Sequence, residues 1–467
     1  MIRVKAKYHE AILPEHQGNP FIEALPPKQD YNYLINSFTH YPEYEEEVRN
    51  SAPLVREEYT SRLKTLRQPL PIYYDCFRAI ESAIKHGYSA KNPLSPTTTQ
   101  YLHYPVDEKP NIAPHTGFFE PKGDGLTLIG DSGVGKSSML EQLLNYFPSV
   151  IEHRIYKRKK MEHTTQVVWI KVDCPNNSSV RDLCEEILSC LNIAMKVHSQ
   201  PEKTIGKLVR QIEQRIKSSF LGILVIDEMQ RLEFKRTGGE NNLLNFLHNL
   251  MNKLGVPIFF CANPPFHKTL AVTLKAARRA ESAGYFVMHP LERDDPWWQA
   301  FIEELWTLQW TNKETKLTDI LNDKLHSLSV GNLDLAHRIY KKAQSLVIGT
   351  PDETISEAVL DQAYAIACGL SSKTAEISNR QKNLLIPRSN KKTGLTQNKQ
   401  TQIVADVDRP QHPEFEIKLR ELQLAVNLHE RVANPTLFQK AEFEDKPMKY
   451  LRRTGVVLED PLTLFNE

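Results

Sequence analysis

The stretch Gly130-Asp131-Ser132-Gly133-Val134-Gly135-Lys136-Ser137 fits the pattern G-x-x-x-x-G-K-[ST], and no other feature narrows the fold of this chain more. Such a loop works in one setting, the turn between a buried strand and the first turn of a helix. The flanks supply that setting: apolar Leu126–Ile129 leads in as a strand and Ser138–Tyr146 leads out as a helix. In that geometry the backbone N–H groups of residues 130–138, Ser138 included, would cradle phosphates. Lys136 would reach the β and γ oxygens, and the Ser137 hydroxyl would sit on Mg²⁺. A nucleoside triphosphate is the expected ligand.

A second motif bears on the fate of that ligand. Gly222-Ile223-Leu224-Val225-Ile226-Asp227-Glu228 is a buried-strand pattern ending in adjacent carboxylates. Asp227 suits a water-mediated Mg²⁺ contact, and Glu228 is placed to polarise the attacking water. The alternative, an ordinary strand ending in surface acids, loses weight once the phosphate loop stands upstream. An Asp-Glu pair fits hydrolysing ATPases better than many nucleotide kinases and GTPases. No N-K-x-D guanine-reading motif follows, so ATP and Mg²⁺ are the expected cofactors. Gln166–Asp173 reads as one further strand between the two motifs, Pro257–Cys261 as a fourth running into Asn263, and Tyr285–His289 as a fifth. Strands alternating with helical stretches predict a five-stranded parallel sheet with helices on both faces, an α/β fold.

Composition bounds the alternatives. The chain has 467 residues, 40% hydrophobic and 25% charged, enough for one large domain or two to three ordinary ones. No apolar run approaches the ~18 residues of a membrane span. Residues Met1–Glu10 lack an apolar signal core, so a cytoplasmic location is expected. Six cysteines lie scattered without a C-x-x-C pair, the pattern of reduced thiols rather than a metal site. Net charge +2 and a pI near 8.1 confine any nucleic-acid surface to a local patch.

Residues 1–120 read as an N-terminal helical extension for partner binding. Its opening is Pro-rich and short of periodicity, with helices following over Pro42–Leu66 (interrupted at Pro53) and Pro71–His86. The ATPase core spans 121–290 and a helical lid 291–370. In the lid, Gly331-Asn332 signals the start of a helix Leu333–Val347, and Pro351–Cys368 supplies another. Residues 371–467 read as a flexible linker, polar through Gln411, and a partner-binding tail with a short amphipathic helix at Phe415, Leu419, Leu422 and Val426.

These pieces together resemble the AAA+ superfamily of P-loop ATPases. The resemblance implies that Asn263, at the tip of the strand after Asp227-Glu228, is the sensor that holds the attacking water or reads the γ-phosphate; capping a turn before Pro264 is the plainer role. It implies too that Arg278 or Arg279, before the last core strand, is an arginine finger acting on a neighbouring subunit. Arg279 lies nearer that strand; two solvated helix arginines are the alternative. The chain departs from the family at Gly331-Asn332-Leu333-Asp334, where a sensor arginine of the lid would be expected; Arg338 follows one turn later.

A narrower resemblance rests on Gln166–Pro175, on His153-Arg154, and on the opening Gly18-Asn19-Pro20-Phe21-Ile22-Glu23-Ala24-Leu25-Pro26. Over roughly the first 370 residues the chain is similar to the ATP-dependent regulators of heteromeric bacterial transposons, the TnsC/TniB group. That resemblance implies ATP-bound homo-oligomers, rings or filaments, on duplex DNA. They link a target-selection protein or RNA-guided complex to transposase subunits, and hydrolysis drives disassembly. Arg154, Lys157, Arg158, Lys159 and Lys160 form the densest basic cluster and are the first candidates for DNA contact, as a loop that neutralises phosphates; Lys235 and Arg236 come second. A solvated surface run is the alternative. Two other readings share the chemistry: an initiator or helicase-loader AAA+ ATPase, which would normally carry a DNA-reading domain after the lid, and a nucleotide-switched scaffold that never touches DNA. A pseudo-ATPase is disfavoured because Lys136, Ser137, Asp227 and Glu228 are all present.

Overall fold

The computed structural model describes residues 1–95, 123–175, 179–231, 247, 251, 254–264, 266 and 280–368, with backbone alone at 162 and 163. These residues all fall in one unit, Met1–Lys391. The predicted linker, amphipathic helix and tail lie outside the described residues.

The Pro-rich opening is more ordered than its lack of periodicity suggests. Arg3–Lys5 forms a strand (β1), and Pro20–Glu23 forms a single helical turn (α1). The Asn19 side chain caps that turn by accepting from Phe21 N, which drops Phe21, Ile22 and Leu25 into the core. Tyr31–Phe38 (α2), capped by Asp30, is a helix that the sequence reading passed over. The helix expected over Pro42–Leu66 is replaced by three pieces: a 3₁₀ turn Glu46–Asn50, a helix Pro53–Tyr59 (α3), and a 3₁₀ stretch Thr60–Thr65. Pro53 stands in the first turn of α3, where its missing N–H costs nothing, and it bars any helix from running through. Pro71–Ser89 (α4) forms as its apolar spacing predicts, burying Tyr73, Phe77, Ile80, Ile84 and Tyr88.

Gly125–Gly130 (β2) leads through the phosphate loop into Lys136–Asn145 (α5). Val150–Tyr156 (β3) and Lys159–Val167 (β4) follow as an antiparallel hairpin, and β1 pairs parallel with β3 to make a three-stranded sheet. Trp169–Asp173 (β5), helices Val180–Met195 (α6) and Ile205–Ser219 (α7), Ile223–Asp227 (β6), Ile258–Ala262 (β7) and Gly284–Met288 (β8) complete the core. The second sheet runs β5-β6-β7-β2-β8, parallel throughout. Its near-continuous apolar strands are those of a sheet buried on both faces. Helices α6 and α7 share one hydrophobic cluster with Ile170, Leu224 and Ile258; α4 and α5 share another with Leu128, Val225 and Phe259. The α/β reading therefore holds, with two corrections. Gln166–Asp173 is two strands, because Gln166 and Val167 pair with β3 whereas pairing with β6 begins at Trp169. The basic stretch expected to be a loop is instead the hairpin.

Four helices follow: Pro296–Thr307 (α8), Asp319–Ser329 (α9), Leu333–Val347 (α10) and Glu357–Ala367 (α11). Asp295, Thr318, Asn332 and Ser356 cap them in turn, each side chain accepting a backbone N–H. Their core around Trp298, Leu305 and Tyr340 also takes in Val48, Leu63 and Leu66 from the N-terminal segment. The tie is reinforced by a buried ion pair. Arg56 donates to both oxygens of Glu353, at 2.7 Å to Oε1, and these side chains are 4% and 7% exposed. Arg56 holds the Glu353 carboxyl down to about 2, with amides of Asn312 and Gly349 also donating to it.

Removing one partner strands a buried charge, so Arg56→Met should cost roughly 3–5 kcal/mol in chemical denaturation. The pH response has a defined sign. A carboxyl depressed to about 2 contributes fully above its unfolded value near 4.5 and loses that contribution as pH falls towards 2. The double variant Arg56→Met/Glu353→Gln should therefore lose less stability than the parent over that interval; equal acid sensitivity would count against the pair.

Candidate nucleotide site

The loop between β2 and α5 has the backbone its glycines permit. Gly133 (φ +84°) and Gly135 (φ +99°) are left-handed, a region that costs other residues about 1–2 kcal/mol. A Cβ on Gly133 would also meet the Asn332 amide at 2.7 Å. Lys136 is buried, its ammonium donating to Gly130 O, Asp131 O and Asn263 Oδ1, each at 2.7 Å. Burial lowers its pKa, partly offset by nearby groups including Asp227 and Glu228.

The carboxylates arrive from the neighbouring strand end. Ser137 Oγ donates to Asp227 Oδ2 at 3.3 Å, which brings the two expected Mg²⁺ ligands together. Asp227 Oδ2 also lies 2.9 Å from the Lys171 ammonium, and Oδ1 accepts the Glu228 N–H at 2.9 Å. Burial alone would raise the Asp227 carboxyl; Lys171, the Cys261 thiol and the Glu228 amide outweigh it and hold the acid below its usual range. The thiol is in turn pushed well up by burial and by Asp227. Lys171 is a site residue that motif reading missed. Its signal was its place on the strand beside β6, two residues before Asp173, which registers with Asp227. Glu228 adopts φ +58°, left-handed for a non-glycine, at the end of β6. Its carboxylate accepts from Gln230 Nε2 at 2.8 Å and lies 3.3 Å from Arg231 Nε.

Asn332 docks the C-terminal helices onto the loop. Its amide donates to Ser132 O at 2.9 Å while its Oδ1 caps α10, and Asp334 N donates to Gly133 O at 3.3 Å. Beside this contact lies a cavity of about 470 Å³, within the range of small-ligand sites. The phosphate loop lines it through Gly133, Gly135 and Ser138, α10 through Leu333, His337 and Arg338, and the N-terminal segment through Leu63, Leu66 and Tyr73. The last three escaped the sequence reading because nothing local ties them to a loop about 60 residues on. Arg338 reaches the cavity wall, but it donates to Ala367 O and lies 3.7 Å from Asp334. Burial and the Arg67 guanidinium push the His337 imidazole down to about 4, so it is neutral at physiological pH.

Of the basic candidates, Arg154, Lys157, Arg158, Lys159 and Lys160 are all exposed on the β3–β4 hairpin. Its two-residue loop is Lys157-Arg158, both with positive φ, 44° and 70°. Lys157 lies 3.4 Å from the buried carboxylate of Glu23. Lys235, Arg236, Arg278 and Arg279 lie outside the described residues. All six cysteines are free thiols, and no helix among the described residues is long and apolar enough to cross a membrane.

Residues 123–270 match the family model described as AAA domain. The fold is the AAA+ P-loop fold. No curated protein matches the chain. Among solved structures, a Walker-type ATPase of Pyrococcus abyssi is similar at 16% identity and TM-score 0.36, over 56% of this chain and 72% of that one. Cdc6p from Pyrobaculum aerophilum gives 11% and 0.37, over 68% and 86%. Drosophila ORC bound to DNA gives 14% and 0.31, over 58% and 65%. An AAA+ P-loop fold implies nucleotide binding, and Lys136 is the expected phosphate contact. Lys136→Ala should keep its thermal midpoint within a few degrees and lose roughly a hundredfold in nucleotide affinity, about 2.7 kcal/mol. Parental affinity by calorimetry would remove Lys136 from the site.

Proposed function

We propose that this chain hydrolyses ATP with Mg²⁺ and that its nucleotide state governs assembly on duplex DNA. The observation that carries the ATPase reading is the convergence of Lys136, Ser137, Asp227, Glu228 and Asn263 at the ends of adjacent strands. Each group has a place in phosphoryl transfer. The loop amides and Lys136 hold the phosphates, and Ser137 with Asp227 would hold Mg²⁺, which neutralises charge developing on the γ-phosphate. Glu228 polarises the attacking water, and Asn263 orients that water or the γ-phosphate. Arg279, with Arg278 beside it, is the candidate for completing a neighbouring subunit's site in a homo-oligomer.

Two readings of the process stand, and each has its own support. The initiator or helicase-loader reading has beside it the fold likeness to Cdc6p and ORC, the latter described as bound to DNA; at these TM-scores the likeness is one of fold. The regulator of transposition, acting between a target-selection protein or RNA-guided complex and transposase subunits, rests on the sequence resemblance. Purified chain with ATP and duplex DNA, mixed in parallel with an integrase-type transposase and with a replicative helicase, separates them. Nucleotide-dependent capture of the transposase supports transposition, and helicase capture supports loading.

Glu228→Gln should bind ATP as the parent does and turn it over at least ~100-fold more slowly, leaving ATP-bound assemblies persistent. Unchanged turnover would make Glu228 a surface acid. The DNA surface is tested by replacing Lys157-Arg158 with Asn-Gly, residues that suit a two-residue hairpin loop of positive φ. The variant should fold as the parent does, relief of the positive φ offsetting the lost Lys157–Glu23 contact, yet bind duplexes of any sequence more weakly. Its affinity should depend less steeply on salt, by about one logarithmic unit for each phosphate no longer neutralised. Parental affinity and slope would move the DNA surface elsewhere, with Lys235-Arg236 next.

A further inference from the structure

Gln230 belongs to none of the motifs, yet its side-chain amide joins two of them. Its Nε2 donates to Glu228 Oε2 at 2.8 Å, and its Oε1 accepts the backbone N–H of Asn263 at 2.9 Å. The Asn263 side chain in turn accepts from Lys136 at 2.7 Å. Through Asn263, which follows β7, these bonds link the phosphate-loop lysine residue by residue to Gln230 and to the carboxylate of Glu228. The acid needs such a tether. Glu228 sits in a left-handed conformation beyond the last residue of its strand, and its side chain is 31% exposed. A half-buried carboxylate on a strained backbone samples several rotamers unless something fixes it. Arg231, from the same short 3₁₀ turn Met229–Arg231, contacts the same oxygen and donates to Cys174 O at 3.4 Å, which ties the acid towards the end of β5 and not towards β7, where Asn263 lies. The amide of Gln230, with one donor and one acceptor in use, spans from β6 to β7. Its bond to the acid goes to Oε2, the oxygen that Arg231 also meets.

We propose that Gln230 is a positioning residue for hydrolysis: it fixes the Glu228 carboxylate relative to Asn263 and Lys136. This rests on the ATPase reading above. A group that acts only by orienting the base should matter to turnover and little to binding, because misplacing a reacting group by about 1 Å can cost 10²-fold in rate. The test is steady-state turnover and nucleotide affinity of Gln230→Met, which keeps length and removes both hydrogen bonds, and of Gln230→Glu, which sets a like charge against Glu228. Both are measured with and without duplex DNA beside the parent, Glu228→Gln and the double variant Gln230→Met/Glu228→Gln. In each Gln230 variant kcat should fall roughly tenfold to a hundredfold with KM and nucleotide affinity within about threefold of the parent. Against the Glu228→Gln background, Gln230→Met should have little further effect, since the group it positions is gone. A parental kcat in Gln230→Met, a loss of affinity as large as the loss of turnover, or a full additional loss in the double variant would each overturn the proposal. A parent that shows no turnover in either condition would instead remove the ATPase reading, and this proposal with it.

Discussion

The parallel pairing of β7 with both β2 and β6 is the constraint on which the site depends. Leu128 registers with Cys261 and Ile129 with Ala262, while Ile226 registers with Phe260. Three strand ends consequently emerge side by side at one edge of the sheet, where ligands bind in open α/β folds. Lys136 follows the first, Asp227 and Glu228 end the second, and Asn263 follows the third. Residues 127 positions apart in sequence, Lys136 and Asn263, meet at hydrogen-bond distance only through that alignment. An antiparallel partner at any of these positions would send one group to the opposite edge.

Each of the charges gathered there has protein partners. Lys136 is held by two backbone carbonyls and an amide oxygen, and Asp227 by Lys171, Cys261, Ser137 and the Glu228 amide. Buried charge without partners is costly, so each group keeps protein partners. Lys171 matters most in this respect. Its ammonium lies 2.9 Å from Asp227 Oδ2 and is foremost among the groups that hold that carboxyl below its usual range against the effect of burial.

The C-terminal helices meet the loop through the start of α10, where Gly331-Asn332-Leu333-Asp334 contains no arginine and the Asp334 N–H donates to Gly133 O. Contact is made by Asn332, which caps α10 with its oxygen and grips Ser132 O with its nitrogen. One amide thus serves helix capping and docking together. The N-terminal segment closes the other side, through Leu63 and Leu66 in the α8–α11 core and through the Arg56–Glu353 pair.

The phosphate loop, the Asp-Glu strand end and the five core strands were legible in the sequence because each depends on local pattern. A buried parallel strand must be a short apolar run, and a phosphate loop needs glycine where φ is positive. Helices α4 and α10 could be read for the same reason, from apolar spacing and from Pro71 or Asn332 at their starts. What the local pattern could not show was anything made by distant partners. The Pro-rich opening carries no periodicity, yet Phe21 and Ile22 are buried because a cap at Asn19 turns them inward. The basic run Arg154–Lys160 gave its charge but not its shape, since a hairpin closed by Lys-Arg lacks the Asn-Gly signal of such turns. Gln166–Asp173 is apolar for most of its length and looks like one strand; only its two different neighbours, β3 and β6, break it at Val168. Sequence alone therefore marked the candidates for holding phosphate and activating water. The tertiary structure decided which of them meet, that Lys171, Gln230 and Asn332 join them, and that residues near Leu63 wall the cavity, because those contacts exist only once the sheet has brought its strand ends together.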